Sequence, residues 1–154
     1  TGCRNCEMYC SLLKTKTCNP DRSRVRVIAL DEKGISAPVM CQQCEDAPCI
    51  SACPVDAITK DTETGAVKID LETCVGCEIC IEECPFHAII IDSVEEEVLT
   101  CDLCNGDPMC AKMCPTGAIS FITSDTATLA KKREAMEKLT SLAGLVQAGI
   151  SGGR

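Results

Sequence analysis

Aromatic residues are nearly missing from this chain: Tyr9, Phe86 and Phe121 are the full set in 154 residues, and tryptophan is absent. Aromatic side chains bury the largest areas, so a fold built around a large aromatic core is excluded. Histidine occurs once, as His87; it reads as an exposed loop residue, or else as a group tuning a nearby metal centre, and in neither role is it catalytic. Net positive charge is lacking as well. The formal charge is −8, which argues against a nucleic-acid partner, since such binding rests on neutralising phosphates. No glycine fingerprint for the phosphates of a nucleotide or flavin is visible. The charge-free stretch after Lys138 is too short, and too rich in Gly and Ala, to span a membrane. No apolar signal segment is seen ahead of the cysteines, so a cytoplasmic location is expected.

What the chain has instead is cysteine. Sixteen of them, about a tenth of the residues, demand covalent or metal chemistry as the organising force. Cys74-Val-Gly-Cys77-Glu-Ile-Cys80-Ile-Glu-Glu-Cys84-Pro85 is an unbroken run at spacings two, two and three, closed by proline. Disulfides suit small secreted scaffolds rather than tight quartets. Structural zinc pairs two C-x2-C knuckles across a longer loop. The run matches the motif by which bacterial ferredoxins bind [4Fe–4S] clusters, where three thiolates grip one cube and the fourth reaches a second. One such run implies at least two clusters.

The pattern repeats. Cys41-x2-Cys44-x4-Cys49-x3-Cys53-Pro54 and Cys101-x2-Cys104-x5-Cys110-x3-Cys114-Pro115 share the closing spacing and the proline. After each proline a similar phrase, Val55-Asp56-Ala57-Ile58, Phe86-His87-Ala88-Ile89 or Thr116-Gly117-Ala118-Ile119, turns the chain from cluster loop to short strand. A first, anomalous group is Cys3-x2-Cys6-x3-Cys10. Its closing spacing makes Cys10 the outgoing fourth ligand and Cys3 and Cys6 the second and third, with a first cysteine expected just before Thr1. The rival reading takes Cys18 as the fourth ligand; otherwise Cys18 is surplus, in the common role of a small apolar residue.

Connections pair the quartets. Residues 57–61 and 66–70 alternate around Thr62-Glu63-Thr64-Gly65 as a β-hairpin, so 41–92 makes one dicluster module. The outer quartets are left to each other, with strands over 25–30 and 119–123, giving an outer module of 1–40 and 93–122. The expected shells are Cys41, Cys44, Cys49 with Cys84; Cys74, Cys77, Cys80 with Cys53; Cys101, Cys104, Cys110 with Cys10; and Cys3, Cys6, the cysteine before Thr1 and Cys114. Four [4Fe–4S] clusters in an α+β fold of two interleaved bacterial ferredoxin-like modules follow. Every iron is then held by cysteine, which leaves no open position for substrate and marks a non-catalytic electron relay.

The chain resembles the four-cluster, ferredoxin-like electron-transfer subunits of large anaerobic oxidoreductases, which use this nested pairing. Thr1-Gly2-Cys3-Arg4-Asn5-Cys6-Glu7, Cys10-Ser11, Asn19-Pro20 and Ser23-Arg24-Val25 are similar to subunits accompanying tungsten enzymes of the aldehyde:ferredoxin oxidoreductase group, and Cys101-Asp-Leu-Cys104-Asn-Gly-Asp-Pro-Met-Cys110 resembles both these and subunits serving carbon monoxide dehydrogenase. The resemblance implies a large catalytic partner, with a flavoprotein or soluble ferredoxin as second redox partner. Formate dehydrogenase, hydrogenase or a free polyferredoxin are the alternatives.

Two charge features and a tail complete the reading. Arg22, Arg24 and Arg26 alternate as on one strand face, either solvated or salt-bridged, or else a docking patch for an acidic subunit. Glu95-Glu96-Glu97 reads as a solvated turn. Over 123–154 cysteines stop, and Leu129, Met136, Leu139, Leu142 and Val146 recur at helical spacing, predicting an amphipathic helix and then a flexible tail.

Overall fold

In the computed structural model, which describes residues 1–30, 32 and 34–122, the longest element is the helix α1 (Asn5–Thr15). Left-handed residues bracket it, Arg4 at φ 57° and Lys16 at φ 59°. Glu7 in its first turn and Lys14 in its last complement the helix dipole. The helix buries Glu7, Cys10 and Ser11. A 3-10 turn (Pro20–Arg22) follows, capped by Asn19, whose side chain accepts the Asp21 N–H.

β1 (Val25–Leu30) and β2 (Ile35–Met40) form an antiparallel hairpin in register from Val25↔Met40 to Leu30↔Ile35. After a one-turn helix α2 (Pro48–Ser51), β3 (Ile58–Lys60) pairs with β4 (Val67–Ile69) as Ile58↔Ile69 and Lys60↔Val67. This is the hairpin read from the sequence. A second one-turn helix α3 (Ile79–Glu82) leads to β5 (Ile90–Ile91) and β6 (Val98–Leu99), again antiparallel. A kinked 3-10 segment (Leu103–Gly106) and α4 (Met109–Lys112) close the described chain. The result is a small α+β protein of short helices and two-stranded sheets.

The turns of the two shorter hairpins repeat one device. Asp61 Oδ1 accepts the N–H groups of Glu63 and Thr64, and Asp92 Oδ1 accepts those of Val94 and Glu95. Four residues past each aspartate, Gly65 (φ 70°) and Glu96 (φ 58°) adopt the left-handed conformation and return an N–H to the aspartate carbonyl. An aspartate side chain thus does the work of a backbone turn.

Two expectations are corrected. No strand forms over 119–122, the described part of the expected 119–123 strand. The chain turns back on Cys114, whose carbonyl accepts the Gly117 N–H at 3.3 Å and whose sulfur lies 3.7 Å from the Thr116 hydroxyl. β1 pairs instead with β2, and Val27 gives its N–H to Glu7 Oε1 at 2.6 Å. The three arginines also do not alternate along a strand, because β1 begins only at Val25. Arg22 in the 3-10 turn meets both Asp92 oxygens at 2.8 Å, and Arg24 reaches Asp102 at 2.9 Å. Only Arg26 lies in β1, and it is exposed.

The apolar core of the outer segments gathers Cys10, Val25, Cys110 and Ile119, with Cys6, Met40, Ala111 and Cys114 packed against it. α1 packs on α4, and α2 on α3. The amphipathic helix and tail expected over 123–154 lie outside the described residues.

Candidate metal centres

None of the sixteen cysteines is in a disulfide. Each cluster loop opens with the same backbone move: two residues after the first cysteine, Gln43 (φ 52°), Gly76 (φ 67°) and Leu103 (φ 54°) are all left-handed. In two loops the residue after the second cysteine is left-handed as well, Glu78 and Asn105. About Cys77 this is an alternation of the kind that forms a concavity suited to anions, whereas in the last loop Cys104 (φ 50°) is left-handed too, making three such residues in a row. Near the chain start Gly2 (φ 63°) and Arg4 (φ 57°) repeat this pair around Cys3. Glycine suits position 2 by its left-handed conformation, and a Cβ there would lie 2.7 Å from Ser36 Oγ, so the serine side chain would have to turn away.

The loops close alike too. Three residues beyond the last cysteine, Asp56, His87 and Gly117 are left-handed. The next residue donates its N–H to the cysteine sulfur: Ala57 to Cys53 Sγ at 3.3 Å and Ala88 to Cys84 Sγ at 3.4 Å. Cys114 takes N–H groups from Ile119, Thr116 and Ala118, with the Thr116 hydroxyl 3.7 Å away, and its thiol falls to about 7. Cys10 has no following proline and stays within α1; the Arg24 N–H reaches its sulfur at 3.4 Å.

The thiols act on one another in groups drawn from different quartets. Burial pushes Cys49 up to about 11, and Cys41, Cys84 and Cys44 push the same way. These four line one cavity with Ala47, Val67, Phe86 and Ile89. Cys80 is raised by burial and then by Cys74, Cys77 and Cys53. Burial also lifts Cys110 to about 11, with Cys10 and Cys104 adding to it, and lifts Cys101 to about 12, where Cys41, Cys110 and Cys10 contribute. Cys6 is raised by burial and further by Glu7 and Cys3. Cys6 and Cys114 adjoin the same apolar cluster, and Cys3 is exposed. Cys18 is exposed between α1 and the 3-10 turn.

This donor set fits iron–sulfur clusters. Four thiolates crowded in partial burial are costly unless a cationic core neutralises them, and N–H groups already point at the sulfurs. Among the described residues no group of three or more His, Cys, Asp or Glu converges on a point that would hold one ion. A single zinc would need each sulfur about 2.3 Å from one centre.

The pattern of a 4Fe–4S dicluster domain matches residues 33–124. The chain belongs to the 4Fe–4S dicluster domain family. It is a ferredoxin-like, iron–sulfur electron-transport protein of the kind found in oxidoreductase complexes. It is similar to the polyferredoxin-like subunit of an aliphatic sulfonate oxidoreductase from Pyrococcus furiosus, 42% identical over 74% of this chain and 65% of that one. It is also similar to the thiosulfate reductase electron transfer subunit of Salmonella typhi (32%; 78% and 69%) and the beta subunit of an NADH-dependent phenylglyoxylate dehydrogenase from Aromatoleum evansii (34%; 80% and 28%). The chain thus spans under two thirds of the first and last of these dicluster relatives. Among the described residues, no helix is long and apolar enough to cross a membrane.

Sequence reasoning passed over the polar groups that hold the dicluster loops together. Asp102 joins Lys14 (2.7 Å) and Arg24 (2.9 Å) beside Cys101 and Cys104. Buried Gln43 donates to the Cys101 carbonyl at 2.7 Å and accepts the Val67 N–H at 2.6 Å. Their only signal was a polar residue inside each C-x2-C.

Proposed function

We propose that the chain relays electrons through four [4Fe–4S] clusters between a large catalytic oxidoreductase subunit and a second carrier. The ligand sets are Cys53, Cys74, Cys77, Cys80; Cys41, Cys44, Cys49, Cys84; Cys10, Cys101, Cys104, Cys110; and Cys3, Cys6, Cys114 with a thiolate preceding Thr1. What supports this reading is that Cys41 lies near enough to Cys101 to act on its thiol, as a relay in which the second set adjoins the third requires. The clusters supply one-electron storage. The chain's own residues hold them, aim N–H groups at the sulfurs and cover the middle of the line. Gly2 and Arg4 favour a ligand before Thr1 over Cys18, since they repeat the turn that follows a first cysteine.

For the partner, a tungsten enzyme of the aldehyde oxidoreductase type is the reading the sequence resemblance favours. The sulfonate, thiosulfate and phenylglyoxylate relatives are named as parts of oxidoreductases, which supports a catalytic partner of some such kind. Anaerobic purification of the native complex tests both levels. About sixteen irons and sixteen sulfides per chain are expected, with tungsten in the co-purifying subunit. About eight irons overturns the four-cluster reading, and molybdenum or nickel in place of tungsten overturns the partner. Cys18→Ser in the full-length protein should leave every cluster intact; loss of one makes Cys18 a ligand.

A further inference from the structure

Lys14, Arg24 and Asp102 come from three separate segments and meet beside one quartet. Lys14 Nζ lies 2.7 Å and Arg24 Nη1 2.9 Å from the same oxygen, Asp102 Oδ2. Each of the three is also tied to a cysteine of the set Cys10, Cys101, Cys104 and Cys110. Lys14 follows Cys10 by about one turn of α1, so both stand on one face of the helix. The Arg24 N–H reaches Cys10 Sγ at 3.4 Å, and Asp102, between Cys101 and Cys104, accepts the Cys104 N–H on Oδ1 at 3.0 Å. Two cations thus share a single carboxylate. Among the described residues neither cation reaches a second carboxylate, and Arg24 Nε is buried with no acceptor. The group therefore carries one uncompensated positive charge. With the side chains of Lys14, Arg24 and Asp102 only 17%, 19% and 22% exposed, salt and water screen that charge less than they would at the surface. The loop 74–80 differs: exposed Val75 stands where Asp102 does, and its charged neighbours Glu72, Glu78 and Glu82 are all acidic.

We propose that Lys14, Arg24 and Asp102 are positioning residues whose surplus positive charge makes the cluster held by Cys10, Cys101, Cys104 and Cys110 easier to reduce. The inference rests on that ligand set. Reduction adds one electron, received from the adjoining cluster, and no proton, so the cluster with its thiolates becomes more negative by one charge. A fixed cation beside it stabilises the reduced form more than the oxidised one. Asp102 acts in the opposite sense: it holds the two cations in place and limits their surplus to one charge. The third member of the line thereby holds an electron more firmly than cluster chemistry alone would.

The full chain, loaded anaerobically, is titrated potentiometrically with EPR detection, and the cluster in question is the component that Cys104→Ala removes. Lys14→Met keeps the length of the side chain and the helix but removes one cation; that cluster should become harder to reduce. Asp102→Asn keeps an acceptor for the Cys104 N–H and removes the negative charge; the same cluster should become easier to reduce. Lys14→Arg should restore the wild-type potential, and Lys112→Met, which removes an exposed lysine paired with exposed Asp107, should leave it unmoved. A disturbance of structure alone would not give Lys14→Met and Asp102→Asn shifts of opposite sign. Shifts of one sign, or none in either variant, overturn the proposal. If both variants fail to take up that cluster, the three residues hold the loop rather than setting its potential, and the proposal is again overturned; if one loads, the sign of its shift decides. Wild-type protein without any iron–sulfur spectrum would instead overturn the ligation reading beneath it.

Discussion

The loops 41–49 and 74–80 carry the same ligand grammar and opposite surroundings. In the first, Gln43, Ala47 and Cys49 are buried and the Cys101 segment lies against the loop through Gln43. In the second, every residue from Val75 to Ile79 is exposed, with Val75 at 65% and Ile79 at 40%. Glu72, Glu78, Glu82 and Glu83 surround it, all exposed. In the proposed ligation cysteine spacing holds the cube, and what covers the loop decides what the cube can meet. A covered loop suits transfer within the protein, and an open one suits exchange with another molecule.

The largest effect separating the two loops should come from their ligands. Cys49→Ala and Cys77→Ala should each cost about four of the irons. Cys49→Ala should in addition lower the melting temperature of the whole chain, because Cys49 is packed in the cavity with Ala47, Val67, Phe86 and Ile89. Cys77→Ala should leave melting closer to wild type while abolishing reduction by an external donor. Iron analysis with thermal circular dichroism checks this; equal melting losses would mean that burial of the loop contributes nothing to stability.

Next in size is the ion pair that fastens the 3-10 turn to the β5–β6 turn. Arg22 and Asp92 are 12% and 2% exposed, and Asp92 also accepts two turn N–H groups. Arg22→Ala leaves a buried carboxylate unpaired and should cost about 3–5 kcal/mol, measured by denaturant unfolding under anaerobic conditions. Burial alone would raise the Asp92 carboxyl, but the Val94 N–H and Arg22 overcome it and hold it below the ordinary value. A depressed carboxylate contributes stability that is present above its unfolded value, about 3.9, and lost as pH falls through the folded one. Acid unfolding of Arg22→Ala should accordingly begin at higher pH than in wild type.

How far the sequence reached differs between these regions. The quartets, the C-P turns and the β3–β4 hairpin were legible because local spacing and turn chemistry specify them. β2 was not, since Ile35-Ser36-Ala37-Pro38-Val39-Met40 has a proline within a weak alternation, and only pairing with β1 makes it a strand. The absence of a strand after Cys114 was hidden for the opposite reason: Ala118 and Ile119 look like strand residues, yet the turn through Gly117 (φ 64°) leads into no paired segment over 119–122. Asp102 and Gln43 act across 58 residues or more, a reach that no local pattern records. The thiol groupings followed from which quartets the hairpin left adjacent, and their ligation remains the proposal made above.

A smaller effect addresses the open loop's surroundings. Glu78→Lys reverses one exposed charge beside Cys77 without touching a sulfur. If exchange occurs here with a positively charged carrier, the bimolecular rate should fall severalfold at low salt, and the difference should shrink as ionic strength rises, since exposed charges more than about 10 Å apart are screened at 0.1 M. Stopped-flow reduction with such a carrier provides the measurement. The matching change in the covered loop, Glu45→Lys, should have less effect; equal effects would remove the functional distinction between the loops.

The smallest expected change lies where the inner quartets end alike. Asp56 and His87 occupy the left-handed position after Cys53-Pro54 and Cys84-Pro85, at φ 53° and 47°, and Gly117 fills it in the last quartet. A side chain there costs roughly 1 kcal/mol that glycine avoids, partly offset by the greater freedom glycine has when unfolded. Both Asp56→Gly and His87→Gly should therefore change stability by under about 1 kcal/mol, with the Ala57 and Ala88 N–H contacts to sulfur preserved. His87 is exposed, so removing its ring should also leave the potential of the cluster held by Cys84 unchanged between pH 6 and 8. A potential that follows pH in wild type and loses that dependence in His87→Gly would show that the imidazole, although exposed, couples its proton to the electron on the neighbouring cluster.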